Sequence, residues 1–190
     1  MDDQIEALVA RFTCPLPDHA TADDARSARF AAVEVALRLG LAPAEENARI
    51  IGWVQRALDL SDFTARHGRF PRENNRAPAG MISLRESSLH EWVRLQRRST
   101  SCDNHCTYQT LRLELIPGFQ WDPHGEAWEN RLTEYRTFVA DHRRAPRARS
   151  SDPLEKALAH WAAKQRSQHR LGRLSRTRAS GLQSLPLWTW

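Results

Sequence analysis

The chain is poor in cysteine, poor in glycine and almost without lysine. Three cysteines in 190 residues, Cys14, Cys102 and Cys106, do not make a disulfide framework and predict a reduced, cytoplasmic setting. No apolar run approaches the ~18 residues that a membrane-crossing helix needs, so no membrane partner is expected. The opening Met1-Asp2-Asp3-Gln4-Ile5-Glu6 is acidic and argues against a secretory or mitochondrial leader. Neither a Gly-x-x-x-x-Gly-Lys phosphate loop nor an Asp-Glu-Ala-Asp/His box is present, which excludes a nucleotide-driven motor of that kind.

Lys156 and Lys164 are the two lysines, and every other basic residue is arginine. Arginine offers a planar fork that grips phosphate with two bonds, where lysine offers a point charge. A GC-rich genome would raise the arginine share by itself, but it would not cluster the charge. Residues 1–49 carry five basic and nine acidic side chains (−4), residues 50–123 ten and eight (+2), and residues 124–190 thirteen and six (+7).

Tryptophan, by contrast, is abundant, and its spacing reveals a duplication. Trp92 and Trp161, Gln96 and Gln165, Arg97 and Arg166, Pro117 and Pro186, and Trp121 and Trp190 all stand 69 residues apart. Upstream, Trp53 answers Trp128, Phe63 answers Phe138, and His67-Gly68-Arg69-Phe70-Pro71 answers His142-Arg143-Arg144-Ala145-Pro146, now 75 apart. Two copies are too few for a solenoid and imply two small domains in tandem. The expected organisation is all-α: a helical N-terminal extension over 1–43, then three-helix bundles over 44–123 and 124–190.

Within the extension, Ile5, Leu8, Val9 and Phe12 have helical spacing that stops at Cys14-Pro15, and a second helix is predicted from the Thr21 cap to Leu39, ended by Gly40. The acidic balance of this arm argues against phosphate binding. Pro43-Ala44-Glu45-Glu46 is expected to open the first helix of copy one, with Trp53, Ala57, Leu60, Thr64 and His67 along its buried stripe. Trp128, Leu132, Tyr135, Val139 and His142 form the matching stripe. Ser83-Leu84-Arg85-Glu86 and Asp152-Pro153-Leu154-Glu155 read as capping boxes for the second helices. Leu154, Leu158, Trp161 and Gln165 then share one face. Gln96 and Gln165 are expected to bond a loop backbone, and Trp121 and Trp190 to seal the cores. Ser175 is the expected cap of the last helix.

Three short helices, Gly-Arg-x-Pro after the first, Trp-x-x-x-Gln-Arg on the second and Gly-Phe-x-Trp after the third resemble the bacterial helicase-associated domain. The residues that carry it are His67 to Pro71, Trp92 to Arg97 and Pro117 to Trp121 in copy one, and Trp161 to Arg166 and Leu171 to Arg178 in copy two. Copy one has Ser101-Cys102-Asp103-Asn104-His105-Cys106 in place of the family's glycine-leucine-serine-arginine run, and copy two has Leu187-Trp188 in place of Gly-Phe. The resemblance implies nucleic-acid binding, DNA more than RNA, beside a helicase or other nucleic-acid enzyme supplied by another chain.

The arginines expected to carry that binding are Arg143, Arg144, Arg147 and Arg149 after the first helix of copy two, and Arg173, Arg176 and Arg178 around its third. Arg166, and Arg69 and Arg97 in copy one, join them. For Arg69, capping of its helix end is the competing reading, and for Arg178, a guanidinium lying back along the core near Leu182. Cys102-x-x-His105-Cys106 lacks a second ligand pair, so no metal is expected, and neither a catalytic residue nor a cofactor. The rival to nucleic-acid binding is an adaptor that docks a helicase or nuclease through its acidic N-terminal helices.

Overall fold

The computed structural model describes residues 2–17, 19–44, 47–72, 81–98 and 103–190, and among them every regular element is a helix. The chain divides into two compact units, Met1–Trp121 and Asp122–Trp190.

In the first unit, α1 (Asp2–Thr13) buries Ile5, Leu8 and Phe12 and stops ahead of Pro15. α2 (Ala22–Arg38) opens with a reciprocal cap. The Thr21 hydroxyl accepts the Asp24 N–H at 3.1 Å, and the Asp24 carboxylate accepts the Thr21 N–H at 2.8 Å. Gly40, at φ 69°, lies just past its end. α3 (Ala48–His67) begins later than Pro43, because the Asn47 side chain accepts the Arg49 N–H at 3.0 Å and sets the first turn there. Glu45 and Glu46 lie outside the described residues. α4 (Leu84–Gln96) and α5 (Thr107–Glu114) complete the unit.

The N-terminal helices are part of this unit's core. Asp23 of α2 accepts the Thr107 N–H at 3.1 Å, and Ser27 accepts the Tyr108 N–H at 3.1 Å, so two free donors at the start of α5 are satisfied by another helix. Beneath them, Glu34 and Arg112 have no exposed side-chain surface and pair at 2.9 Å. The Tyr108 hydroxyl donates to Glu34 at 2.6 Å, and Arg112 donates to the Ser61 hydroxyl of α3 at 3.0 Å. Burial, aided by the Glu34 carboxylate, pushes the Tyr108 hydroxyl well above its ordinary pKa. Leu8, Phe12, Phe30 and Val54 pack on one side. Leu60, Leu89, Val93, Leu113 and Ile116 pack on the other, and Trp53 touches both clusters.

The second unit contains α6 (Pro123–His142), α7 (Pro153–Arg170) and α8 (Arg176–Gln183). Asp122 accepts the Gly125 N–H at 2.8 Å, and Asp152 accepts the Leu154 and Glu155 N–H groups at 2.9 and 3.3 Å. A Cβ on Gly125 would lie 2.2 Å from Asp122 Oδ2, so only glycine lets that cap close as it does. Ser175 caps α8 by accepting the Arg178 N–H. Trp128, Leu132, Tyr135, Val139, Ala162, Leu182, Leu185 and Trp188 form the core.

Three core expectations are corrected. His67 and His142, expected on the buried stripes of α3 and α6, are exposed at the helix ends. Trp188, not Trp190, closes the second core: Trp188 packs against Tyr135 and Trp161, whereas Trp190 is 44% exposed and stacks on His169. The chain after α8 turns through Leu187 at φ 55°, and that turn sends Trp188 inward. Trp121 is half-buried against the Leu60–Ile116 cluster. Leu154 is 74% exposed rather than part of the α7 stripe, because Glu155 takes the inward place in the first turn.

Candidate nucleic-acid interface

Glu155 stands where a capping-box acid would stand, but its carboxylate turns away from the cap. It accepts from both terminal nitrogens of Arg144, from the Arg147 N–H at 2.8 Å and from the Ser150 hydroxyl at 2.8 Å. These bonds, that from Arg144 foremost, hold its pKa down to about 2. Glu86 does the same in the first unit, accepting from Arg69 at 2.5 and 3.2 Å and from the Arg72 N–H at 3.0 Å. Its pKa is likewise lowered, again chiefly by the arginine. Arg69 and Arg144 therefore bind carboxylates of their own units, and each fixes the loop that leads to the next helix.

Arg97 and Arg166 also have matching roles. Each donates its Nε–H, at 2.6 Å, to a carbonyl of the closing tail: Gln120 for Arg97 and Thr189 for Arg166. Arg97 lies over the Phe119 ring at 5.2 Å and Arg166 over Trp188 at 4.6 Å. Arg178 lies back along the second core, over the Trp128 ring at 4.8 Å, in the cluster that also contains Leu182.

Arg143, Arg147, Arg149, Arg173 and Arg176 are all exposed, and among the described residues none of their guanidinium groups has a hydrogen-bond or ion-pair partner. The fold sorts them into two sets rather than one patch. Arg143, Arg147 and Arg149 precede α7, and Arg173 and Arg176 follow it. Eighteen helical residues at 1.5 Å each put ~27 Å between the two ends. Arg143 also sits at φ 54°, at the helix end where the first unit has Gly68 at φ 61°.

Gln96 departs from expectation. Its Oε1 accepts the Trp53 indole N–H at 2.8 Å and meets His105 Nε2 at 3.0 Å, so it joins α3, α4 and the start of α5 instead of bonding a loop backbone. With Oε1 as the acceptor, His105 is assigned as the Nε2–H tautomer. Burial, with Arg26 nearby, lowers the His105 pKa. Cys102, one of the three residues weighed as metal ligands, lies outside the described residues. Among those described, no three His, Cys, Asp or Glu side chains come together as a metal site.

Sequence reasoning passed over Glu86 and Glu155 as arginine partners. The signal was present: Glu86 follows the Ser83 cap and Glu155 the Asp152 cap by three residues, and an arginine stands after the preceding helix in each unit. Comparisons of the chain with protein-family models, curated proteins and solved structures give no match.

Proposed function

We propose that α3–α5 and α6–α8 are two copies of one three-helix module, and that the chain is a non-catalytic nucleic-acid-binding protein. The module reading is supported by matched interactions and not only by matched residues. Arg69–Glu86 corresponds to Arg144–Glu155, Arg97–Gln120 to Arg166–Thr189, and Trp121–Glu114 to Trp190–Gln183. Together with the sequence resemblance to the helicase-associated domain, these pairs favour a role beside a helicase or other nucleic-acid enzyme in a reducing cytoplasm.

The observation that carries the binding reading is the set of five exposed arginines with no partner among the described residues, in a unit with thirteen basic and seven acidic residues (+6). Arg69, Arg97, Arg144 and Arg166 hold the frame, while Arg143, Arg147, Arg149, Arg173 and Arg176 grip phosphates. Arg178 is a lesser contributor because it covers Trp128. A backbone that meets both sets covers ~8 nucleotides at 3.4 Å each. Arg143 adds weight, because a non-glycine residue held at positive φ costs roughly 1–2 kcal/mol, a burden that a contact role would explain. The adaptor reading has less support, since α1 and α2 direct their apolar faces into their own unit.

The test is fluorescence anisotropy against single- and double-stranded DNA and RNA. Arg173→Ala with Arg176→Ala should weaken binding to every sequence alike and lower the salt slope by ~2. Unchanged affinity in the folded variant would remove α8 from the interface.

A further inference from the structure

A cleft in the first unit, between α2, the first turn of α3 and the connection into α5, has an unexpected composition. Arg26 and Arg29 of α2, Arg49 of α3, Trp53, Gln96 and His105 line it, and no described lining residue is a carboxylate. Its volume of about 620 Å³ is in the range of pockets that hold small ligands. The net charge of −4 over residues 1–49 argues against phosphate binding here, yet the fold reverses that locally. Asp23 is taken up by the start of α5, Asp24 by the Thr21 cap and Glu34 by Arg112. Arg26 and Arg49 stay exposed at the cleft.

The cleft is also pre-arranged. Arg26 is steadied by its 2.9 Å bond to the Asn104 carbonyl. α3, twenty residues long, starts at Asn47 on the cleft wall, so its positive end adds to the field of the arginines. The Trp53 indole is held by Gln96, with the His105 ring 6.3 Å away between centroids.

We infer that this cleft binds a phosphomonoester attached to an aromatic base, either a nucleoside monophosphate or the phosphorylated end of a nucleic-acid strand. The arginine forks take the phosphate oxygens, and the Trp53–His105 wall takes the base by stacking. The site is built from residues of the first unit alone and does not depend on the role of the second unit's arginines.

Isothermal titration of the full chain with adenosine 5′-monophosphate, adenosine and inorganic phosphate reads the ligand class. The monophosphate should bind at least about tenfold tighter than either part alone. Arg26→Ala with Arg49→Ala should weaken it by about tenfold or more, while Arg173→Ala with Arg176→Ala leaves it unchanged. Both cleft arginines are exposed, so the circular dichroism of the variant should match the parent. Should it not, Arg49→Ala alone serves, since that side chain has no hydrogen-bond partner among the described residues. A single-stranded DNA with a 5′-phosphate, compared with the same strand ending in hydroxyl, separates the sources. A phosphate preference lost in the cleft variant assigns strand ends, and equal binding of the two strands assigns the free nucleotide. The proposal is overturned if parent and cleft variant bind the monophosphate equally, if inorganic phosphate binds as tightly as the monophosphate, or if neither the monophosphate nor the phosphorylated strand binds. Failure of the second-unit reading would show instead as unchanged binding of the hydroxyl-ended strand by Arg173→Ala with Arg176→Ala.

Discussion

Two arginines one residue apart, Arg143 and Arg144, do opposite work. Arg144 is bound by Glu155, whereas Arg143 is exposed and held in the left-handed region. Replacing Arg143 by glycine should relieve that backbone and raise stability by ~1 kcal/mol. The same change should weaken nucleic-acid binding, and urea denaturation beside anisotropy would read both effects. A variant that is neither more stable nor weaker in binding would remove the functional explanation of this residue. Glu155 gives a pH prediction. Its folded pKa of about 2 lies below the ordinary carboxylate value, so the folded state gives up that proton more readily than the unfolded chain. The stabilisation is present in full above pH ~4.5 and is lost as the pH falls towards 2. Glu155→Gln should flatten that acid limb in a thermal-melt series, and a limb of unchanged steepness would reject the assignment.

At the scale of helices, the Glu34–Arg112 pair binds α2 to α5, and its bond to Ser61 brings in α3. Removing one partner of a buried pair leaves the other charge stranded. Glu34→Ala should therefore cost ~3–5 kcal/mol, measured by chemical denaturation; a loss below ~1 kcal/mol would show that Arg112 finds water or another acceptor. This pair was not legible in the sequence, because a glutamate and an arginine on amphipathic helices read as exposed until α2 is laid across them. Helix caps were far more legible. Thr21, Ser83, Asp152 and Ser175 all act where the sequence places them, since an N-cap depends on chemistry within three residues. The start of α3 was misplaced because Pro43 is a permissive first-turn residue and Asn47 a committing one. Trp190 was misplaced for a different reason: the tail's direction depends on a positive φ at Leu187, and leucine carries no signature of that conformation. The arginine surface was half legible, since composition located the charge but could not tell which guanidinium groups have carboxylates behind them.

For the whole molecule, charge is divided between the units. Residues 1–121 hold fifteen basic and sixteen acidic side chains (−1), and residues 122–190 hold thirteen and seven (+6). Five exposed arginines each neutralising one phosphate predict a slope of log affinity against log salt of about −4.5 on duplex and about −3.5 on single strands. Anisotropy titrations across a salt series would measure both, and a slope near zero would favour the adaptor reading. The cap on α5 has a further consequence, for the order of folding. Thr107 and Tyr108 receive their acceptors from residues 84 and 81 positions earlier, so an eight-residue helix waits on a partner made long before it. Contacts so distant along the chain form late. A chain emerging from the ribosome would thus leave Asp23, Ser27 and Glu34 without their α5 partners until α5 has been synthesised, even where α2 already packs on α3.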